Sequence, residues 1–161
     1  MNPKKIILIG LGNPILGDDG AGWKVVEFLA GQIPADIEVD TLAGGGLSVM
    51  ERLVGFDQVI IVDAINTGKV SKGCVQVFPL EELSNPFLGH LGSAHETNLQ
   101  TALELGRRLG VHLPEKVMVV GIESLDVFDF NDTLSADVAA AIPTAAQTVL
   151  DLIHQFNSRE G

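Results

Sequence analysis

The stretch that decides the fold runs from Ile6 to Glu27 and reads IILIGLGNPILGDDGAGWKVVE. Its first residues, Ile6–Ile9, are an uncharged apolar run that is typical of a strand buried on both faces. Gly10–Pro14 ends that strand, because glycine tolerates positive φ and proline supplies no backbone donor. A helical pattern follows the acidic pair Asp18 and Asp19. The two carboxylates are therefore predicted to lie between a strand and a helix, where open α/β sheets place their ligands.

Strand and helix patterns alternate along the rest of the chain, as in a mostly parallel sheet with helices on both faces. Strands are predicted at Ile6–Ile9, Ile37–Leu42, Gln58–Ala64, Cys74–Phe78 and Lys116–Ile122. Helices are predicted over Gly20–Gly31, Leu47–Val54, His95–Leu109 and Ser135–Phe156, the last interrupted or kinked at Pro143. The sequence thus predicts one domain, 1–161, with a three-layer α/β/α architecture around a twisted sheet of about five strands.

Two short segments predict further details of strand pairing and of a helix start. Asn66–Gly73 is too short for a crossover helix, so the strands on either side are predicted to form a hairpin. The sheet is then either mostly parallel or mixed, with an antiparallel edge. For the third helix, Ser93 and Glu96 have the spacing of a capping box, which places the start of that helix near His95.

Composition narrows the class of partner. Ten basic and 21 acidic residues among 161 give a formal net charge of −11, which argues against nucleic acid because that binding rests on neutralising phosphates. No apolar run approaches the roughly 20 residues of a membrane span, and no signal peptide precedes the first strand. The single cysteine, Cys74, permits no internal disulfide and fits a reducing compartment. We therefore expect a cytoplasmic protein that binds neither nucleic acid nor membranes.

Three polar side chains follow predicted strands or open a predicted helix. Asp19 follows the first strand, Asp63 closes the third, and His95 opens the third helix. Because the ends of parallel strands meet at one edge of a sheet, these residues are expected to converge there. Two carboxylates and an imidazole would suit a divalent transition metal. The same groups could instead act as acid, base and orienting residue around a bound substrate.

Each of these residues also has a simpler interpretation. Asp18 or Asp19 could cap the first helix, Asp63 could form a turn, and His95 could be a surface histidine. The glycines of Gly10–Gly12 are not a dinucleotide fingerprint, because Ile15 stands where the third glycine would be. Structural or solvated roles are predicted for Trp23, Cys74, His112 and His154, with His90 as a second candidate ligand.

These residues resemble the hydrogenase maturation endopeptidases, which trim the large subunit of nickel-iron hydrogenases. The resemblance rests on Ile6–Glu27, on VIIVDA at Val59–Ala64, on Ser93–His95 and on VVGIES at Val119–Ser124. It implies that Asp19, Asp63 and His95 bind metal and contact the nickel of the immature substrate. One departure concerns Asp40–Gly46, which stands where many members have Asp-Gly-Gly-Thr, so no catalytic role is predicted for Asp40.

The resemblance implies an aspartyl-type endopeptidase that removes the C-terminal extension of a large-subunit precursor once nickel is in place. It implies a cytoplasmic protein without a tightly bound organic cofactor, in which nickel arrives with the substrate and zinc or cadmium could occupy the same site. We expect the protein to be a monomer. The sequence offers no clear protein nucleophile, so a metal-polarised water with a carboxylate as base is the chemistry that these residue types allow.

Other interpretations stay open at this stage. The protein could be a nickel-dependent checkpoint or chaperone that does not cleave, or a metallopeptidase with its own zinc. Peptidyl-tRNA hydrolases share the Gly-Leu-Gly-Asn-Pro opening. They continue with a Thr-Arg-His-Asn segment, whereas here Gly17–Gly20 follows, and the net charge of −11 does not suit tRNA.

Overall fold

The computed structural model describes residues 2–82, 98–125 and 129–159. Within these ranges, one sheet is formed by β1 (Ile6–Leu11), β2 (Glu38–Leu42), β3 (Gln58–Ile65), β4 (Val75–Pro79) and β5 (Lys116–Glu123). The strand order is β2-β1-β3-β5-β4, in which β4 runs antiparallel to β5 and the other neighbours are parallel. The predicted α/β class is confirmed, and the sheet is mixed.

Helices cover both faces of this sheet. They are α1 (Ala21–Phe28), α2 (Gly46–Arg52), α3 (Leu99–Arg108) and α4 (Ala136–Ser158). Alternate residues of the central strands point to opposite faces. Leu8, Ile60 and Val120 pack with α1 and α4, whereas Ile9, Ile61 and Val119 pack with α2 and α3. The predicted three-layer architecture is therefore confirmed.

The predicted hairpin between β3 and β4 is wrong, because β5 lies between them and pairs with both. The Glu123 carboxylate, at the end of β5, accepts hydrogen bonds from the backbone N–H and Oγ1 of Thr67, each at 2.8 Å, and from the Gly68 N–H at 3.0 Å. The start of the connection is thus tied to the end of β5 as the chain passes to the far side of that strand. The predicted antiparallel edge is correct, but its neighbour is β5.

Two helices also differ from the prediction. Helix α3 begins at Leu99, and its cap is Asn98, whose side chain accepts a hydrogen bond from the Thr101 N–H at 2.8 Å. The predicted start near His95 is therefore wrong, while the proposed capping box lies outside the described residues. Helix α4 continues through Pro143, so the predicted interruption there is wrong, while the alternative of a kink stays a prediction; Ile142 and Ala145 on either side of the proline are buried.

Among the described helices, α4 is long and apolar enough, by length and composition, to cross a membrane. Its buried side chains include Val138, Val149 and Phe156, and they pack in the same cluster as β1, β3 and β5. The apolar side of α4 is thus used in the core of the fold.

Candidate functional site

Asp19 lies in a short 3-10 turn, Gly17–Gly20, between β1 and α1. Its side chain is 2% exposed, and its Oδ2 accepts a hydrogen bond from the Asn13 N–H at 2.9 Å. Gly12 has a φ of 139°, and a Cβ added there would lie 1.9 Å from the Asp19 carbonyl oxygen. Glycine at position 12 therefore lets the end of β1 lie directly against the residue that carries the carboxylate.

The helix-capping interpretation of the acidic pair is wrong. The N-cap of α1 is Gly20, and no side chain caps that helix. Asp18 instead contacts the start of α4: its Oδ1 accepts from the Ser135 N–H at 2.7 Å and its Oδ2 from the Ser135 Oγ at 2.8 Å. Lys72 Nζ lies 3.6 Å from the same Oδ2. Asp18 therefore holds the turn in place, which leaves Asp19 as the candidate for chemistry.

Replacing Asp18 by alanine should lower the free energy of unfolding by about 2 kcal/mol, because charge-assisted hydrogen bonds to Ser135 would be lost. Ser135→Ala is the matched control: it removes the Oγ bond and keeps the backbone N–H bond, so we expect a loss of about 1 kcal/mol. Denaturant unfolding measures both. A loss below about 0.5 kcal/mol for Asp18→Ala would mean that the carboxylate does not anchor the turn.

Asp63 lies on β3 opposite Gly121 of β5, and its side chain is fully buried at 0% exposure. By strand alternation it points to the same face as Val59 and Ile61, the face that α2 and α3 cover. A fully buried carboxylate is unusual, because burying charge costs free energy unless hydrogen bonds, an opposite charge or a metal compensates it. Such residues are concentrated at functional sites.

Close packing of α1 brings the turn that carries Asp19 to the strand that carries Asp63. A Cβ added to Gly22 would lie 2.3 Å from the carbonyl oxygen of Val62 and 2.6 Å from that of Leu11. The backbone of α1 therefore rests directly on β1 and β3, beside Asp63. The Gly17–Gly20 turn itself also contacts β3.

The third predicted ligand, His95, lies outside the described residues, as does His90. Within the described ranges, no group of three His, Cys, Asp or Glu side chains is arranged to hold a metal ion. The structure therefore describes two buried carboxylates at this edge of the sheet. The prediction that Asp19, Asp63 and His95 bind a metal stays a prediction.

His112 and Asp40, two of the other residues considered from the sequence, take part in ion pairs. His112 Nε2 lies 2.8 Å from Asp57 Oδ1, at the start of β3. The pKa of Asp57 lies below its usual value. The main cause is a hydrogen bond from the Lys5 N–H, and the contact with His112 contributes less. Asp40 accepts a hydrogen bond from Arg52 Nε at 2.7 Å, which raises the pKa of Arg52. Cys74 and Trp23 are half-buried and His154 is exposed.

Comparison with known proteins shows which family the sequence matches. The family model of the HycI hydrogenase maturation proteases matches residues 23–152. That segment contains Asp63 and His95 and begins just after Asp19. The hydrogenase 2 maturation protease of Escherichia coli K12 is 30% identical over 155 residues, covering 94% of this chain and 92% of that protein. The hydrogenase expression/formation protein HupD of Rhizobium leguminosarum bv. viciae is 29% identical over 154 residues, covering 94% and 75%.

Solved structures of hydrogenase maturation proteases have a similar fold. The hydrogenase maturating endopeptidase HybD from E. coli superposes with a TM-score of 0.72 at 26% identity, covering 94% of this chain and 93% of that one. The [NiFe] hydrogenase maturation protease HybD from Thermococcus kodakarensis gives a TM-score of 0.66 at 25% identity, covering 92% and 98%. With most of its length matched by the family model, this chain belongs to the hydrogenase maturation protease family of hydrolases.

Proposed function

We propose that this protease removes the C-terminal extension of a nickel-iron hydrogenase large-subunit precursor after nickel insertion. Membership of the family supports a protein substrate that belongs to hydrogenase assembly. The observation that carries the proposal is the fully buried Asp63, beside the turn that presents the nearly buried Asp19. Carboxylates held in this way on rigid elements suit recognition of a cation, since burial strengthens electrostatic interactions.

Nickel is part of the substrate in this proposal. Asp19, Asp63 and His95 would contact the ion that the precursor carries, so that only a loaded precursor is held in register. Imidazole nitrogen and carboxylate oxygen both bind first-row divalent ions, and the same donors would accept zinc or cadmium in the absence of precursor. No tightly bound organic cofactor is required.

Hydrolysis of the peptide bond needs a base that takes a proton from water and an acid that protonates the leaving amine. A carboxylate of Asp19 or Asp63 is proposed to take a proton from water as the water oxygen bonds to the carbonyl carbon of the scissile peptide. It then delivers that proton to the amine nitrogen as the C–N bond breaks. This would make the enzyme aspartyl-type in the sense that carboxylates carry the proton. Holding the substrate in one register would contribute further, because correct positioning alone can remove several kcal/mol of a barrier.

Cleavage of purified precursor in nickel-loaded and nickel-free forms tests the proposal. We expect a mass loss in the large subunit for the loaded form, detected by mass spectrometry, and a rate at least tenfold lower for the nickel-free form, because the ion supplies the recognition. Binding without any mass loss would instead support a checkpoint that does not cleave. Equal cleavage of both forms, together with one zinc per chain by elemental analysis, would indicate a resident metal and contradict recognition through substrate nickel.

We further propose that the enzyme works in the cytoplasm as a monomer and binds neither nucleic acid nor membranes. The net charge of −11 supports the last part of this proposal, since it repels both phosphate backbones and anionic lipid surfaces.

A further inference from the structure

Two large apolar side chains are exposed next to the turn that carries Asp19. Phe130 is 86% exposed, the highest value among the large apolar residues of the described chain, and Ile15 is 54% exposed. Their segments are joined by hydrogen bonds: the Asn131 N–H donates to the Ile15 carbonyl at 2.9 Å, and the Gly17 N–H donates to the Asn131 carbonyl at 2.7 Å. Ile15 and Phe130 are therefore held on one short two-stranded bridge.

A groove begins where this bridge ends. Its volume is about 670 Å³, and it runs between α1 and α4. Its apolar lining includes Phe28, Leu134 and Ile142, and it starts at Asp132 and Thr133, two and three residues after Phe130. We call Ile15, Phe130 and this groove the rim surface. An exposed aromatic next to an apolar groove is typical of a site that binds another protein, whereas exposed apolar side chains elsewhere on monomers are usually scattered.

The charges around the rim surface indicate what it binds. Asp129 and Asp132 are both exposed and flank Phe130 in the sequence. The chain as a whole carries a net charge of −11. Because opposite charges steer association and like charges suppress it, the rim surface suits an apolar segment flanked by lysine or arginine. A second copy of this acidic chain would be repelled.

We propose that the rim surface is the docking site for the large-subunit precursor, with Phe130 and Ile15 as the apolar anchor and Asp129 and Asp132 pairing with basic residues of that partner. The proposal rests on the proposed function, because it takes the precursor as the substrate. Ile15 lies four residues before Asp19 on the same loop. Docking at the rim surface would therefore present the precursor to the two buried carboxylates.

Steady-state cleavage of nickel-loaded precursor by Phe130→Ala measures this docking. We expect KM to rise about 10- to 50-fold, the effect of losing a buried aromatic anchor, while kcat stays within about twofold. Phe28→Ala should raise KM by a smaller factor, because that side chain is 49% exposed against 86% for Phe130 and so offers less free surface to a partner. The matched control is Leu109→Ala, which removes a side chain that is 74% exposed after α3, where the chain turns back to the start of β5.

Reversing the two acidic charges next to Phe130 tests the docking site independently. Asp129→Lys with Asp132→Lys should raise KM at low salt, and the salt dependence of KM should become weaker than in the wild type. The thermal midpoint should match the wild type in every variant, since the altered side chains are exposed.

The possible results distinguish a failure of the proposed docking site from a failure of the proposed function. If the wild type cleaves and Phe130→Ala has the same KM as Leu109→Ala, the docking site is wrong and the proposed function stands. If kcat falls as much as kcat/KM, Phe130 affects the chemistry and the docking assignment is likewise wrong. If the wild type does not cleave, the proposed function is wrong, and equilibrium binding of the precursor to wild type and Phe130→Ala still measures the docking site.

Discussion

Asp63→Asn should leave a folded protein that cleaves nickel-loaded precursor about 10²- to 10⁴-fold more slowly than the wild type, the usual contribution of a positioned acid or base. Asparagine has nearly the same shape as aspartate, but it carries no charge and accepts no proton at neutral pH. At a side chain with 0% exposure, no solvent molecule can substitute for the missing carboxylate. Single-turnover cleavage measured by mass spectrometry isolates the affected step.

The control for this experiment is Asp151→Asn. Asp151 accepts a hydrogen bond from Gln147 on the exposed side of α4, so the same chemical change there should leave cleavage unaffected. Asp19→Asn and His95→Ala should each slow cleavage as Asp63→Asn does. Thermal unfolding confirms that each variant is folded. Wild-type rates in all three variants would contradict the assignment of these residues, and would leave only the family relationship.

The central strands could be predicted from the sequence because burial on both faces leaves a strong local pattern. Ile6–Ile9 and Val59–Val62 are apolar without interruption, and both lie on central strands of the observed sheet. The positions of Asp19 and Asp63 followed from a general rule, that parallel strands end at the same edge. That rule names the residues, whereas their burial depends on how the helices pack against the sheet, which involves contacts between distant segments of the chain.

The features that could not be predicted depend on contacts between distant residues. β5 lies between β3 and β4, and Glu123 bonds to Thr67, which is 56 residues earlier in the chain. Asp18 bonds to Ser135 across 117 residues, so no capping pattern near Asp18 could reveal its partner. Helix α3 was misplaced for a local reason: Ser93 and Asn98 are both good cap residues, and only the structure shows that Asn98 is the cap used. The rim surface likewise joins residues 15 and 130.

Gly22→Ala should have the second-largest effect, because it tests whether α1 must touch the sheet. In an exposed helix interior, glycine to alanine stabilises by about 0.5–1 kcal/mol. At Gly22 the added Cβ would lie 2.3 Å from the Val62 carbonyl and 2.6 Å from the Leu11 carbonyl, both of them backbone atoms that cannot turn aside. The helix must then move outward, and we expect a loss of about 1–3 kcal/mol in the free energy of unfolding.

The outward movement of α1 should also lower kcat. Asp19 lies three residues before Gly22, whereas Asp63 lies on the strand from which α1 would move away. A displacement of about 1 Å between catalytic groups can cost about 100-fold in rate, so Gly22→Ala should lose about that factor in kcat. Glu27→Ala is the matched control for stability and for kcat, because it changes α1 at a side chain that is 62% exposed. Because Glu27 also lines the groove of the rim surface, KM is not part of this comparison. If Gly22→Ala is more stable than the wild type and cleaves at the same rate, then contact between α1 and the strands does not hold Asp19 beside Asp63.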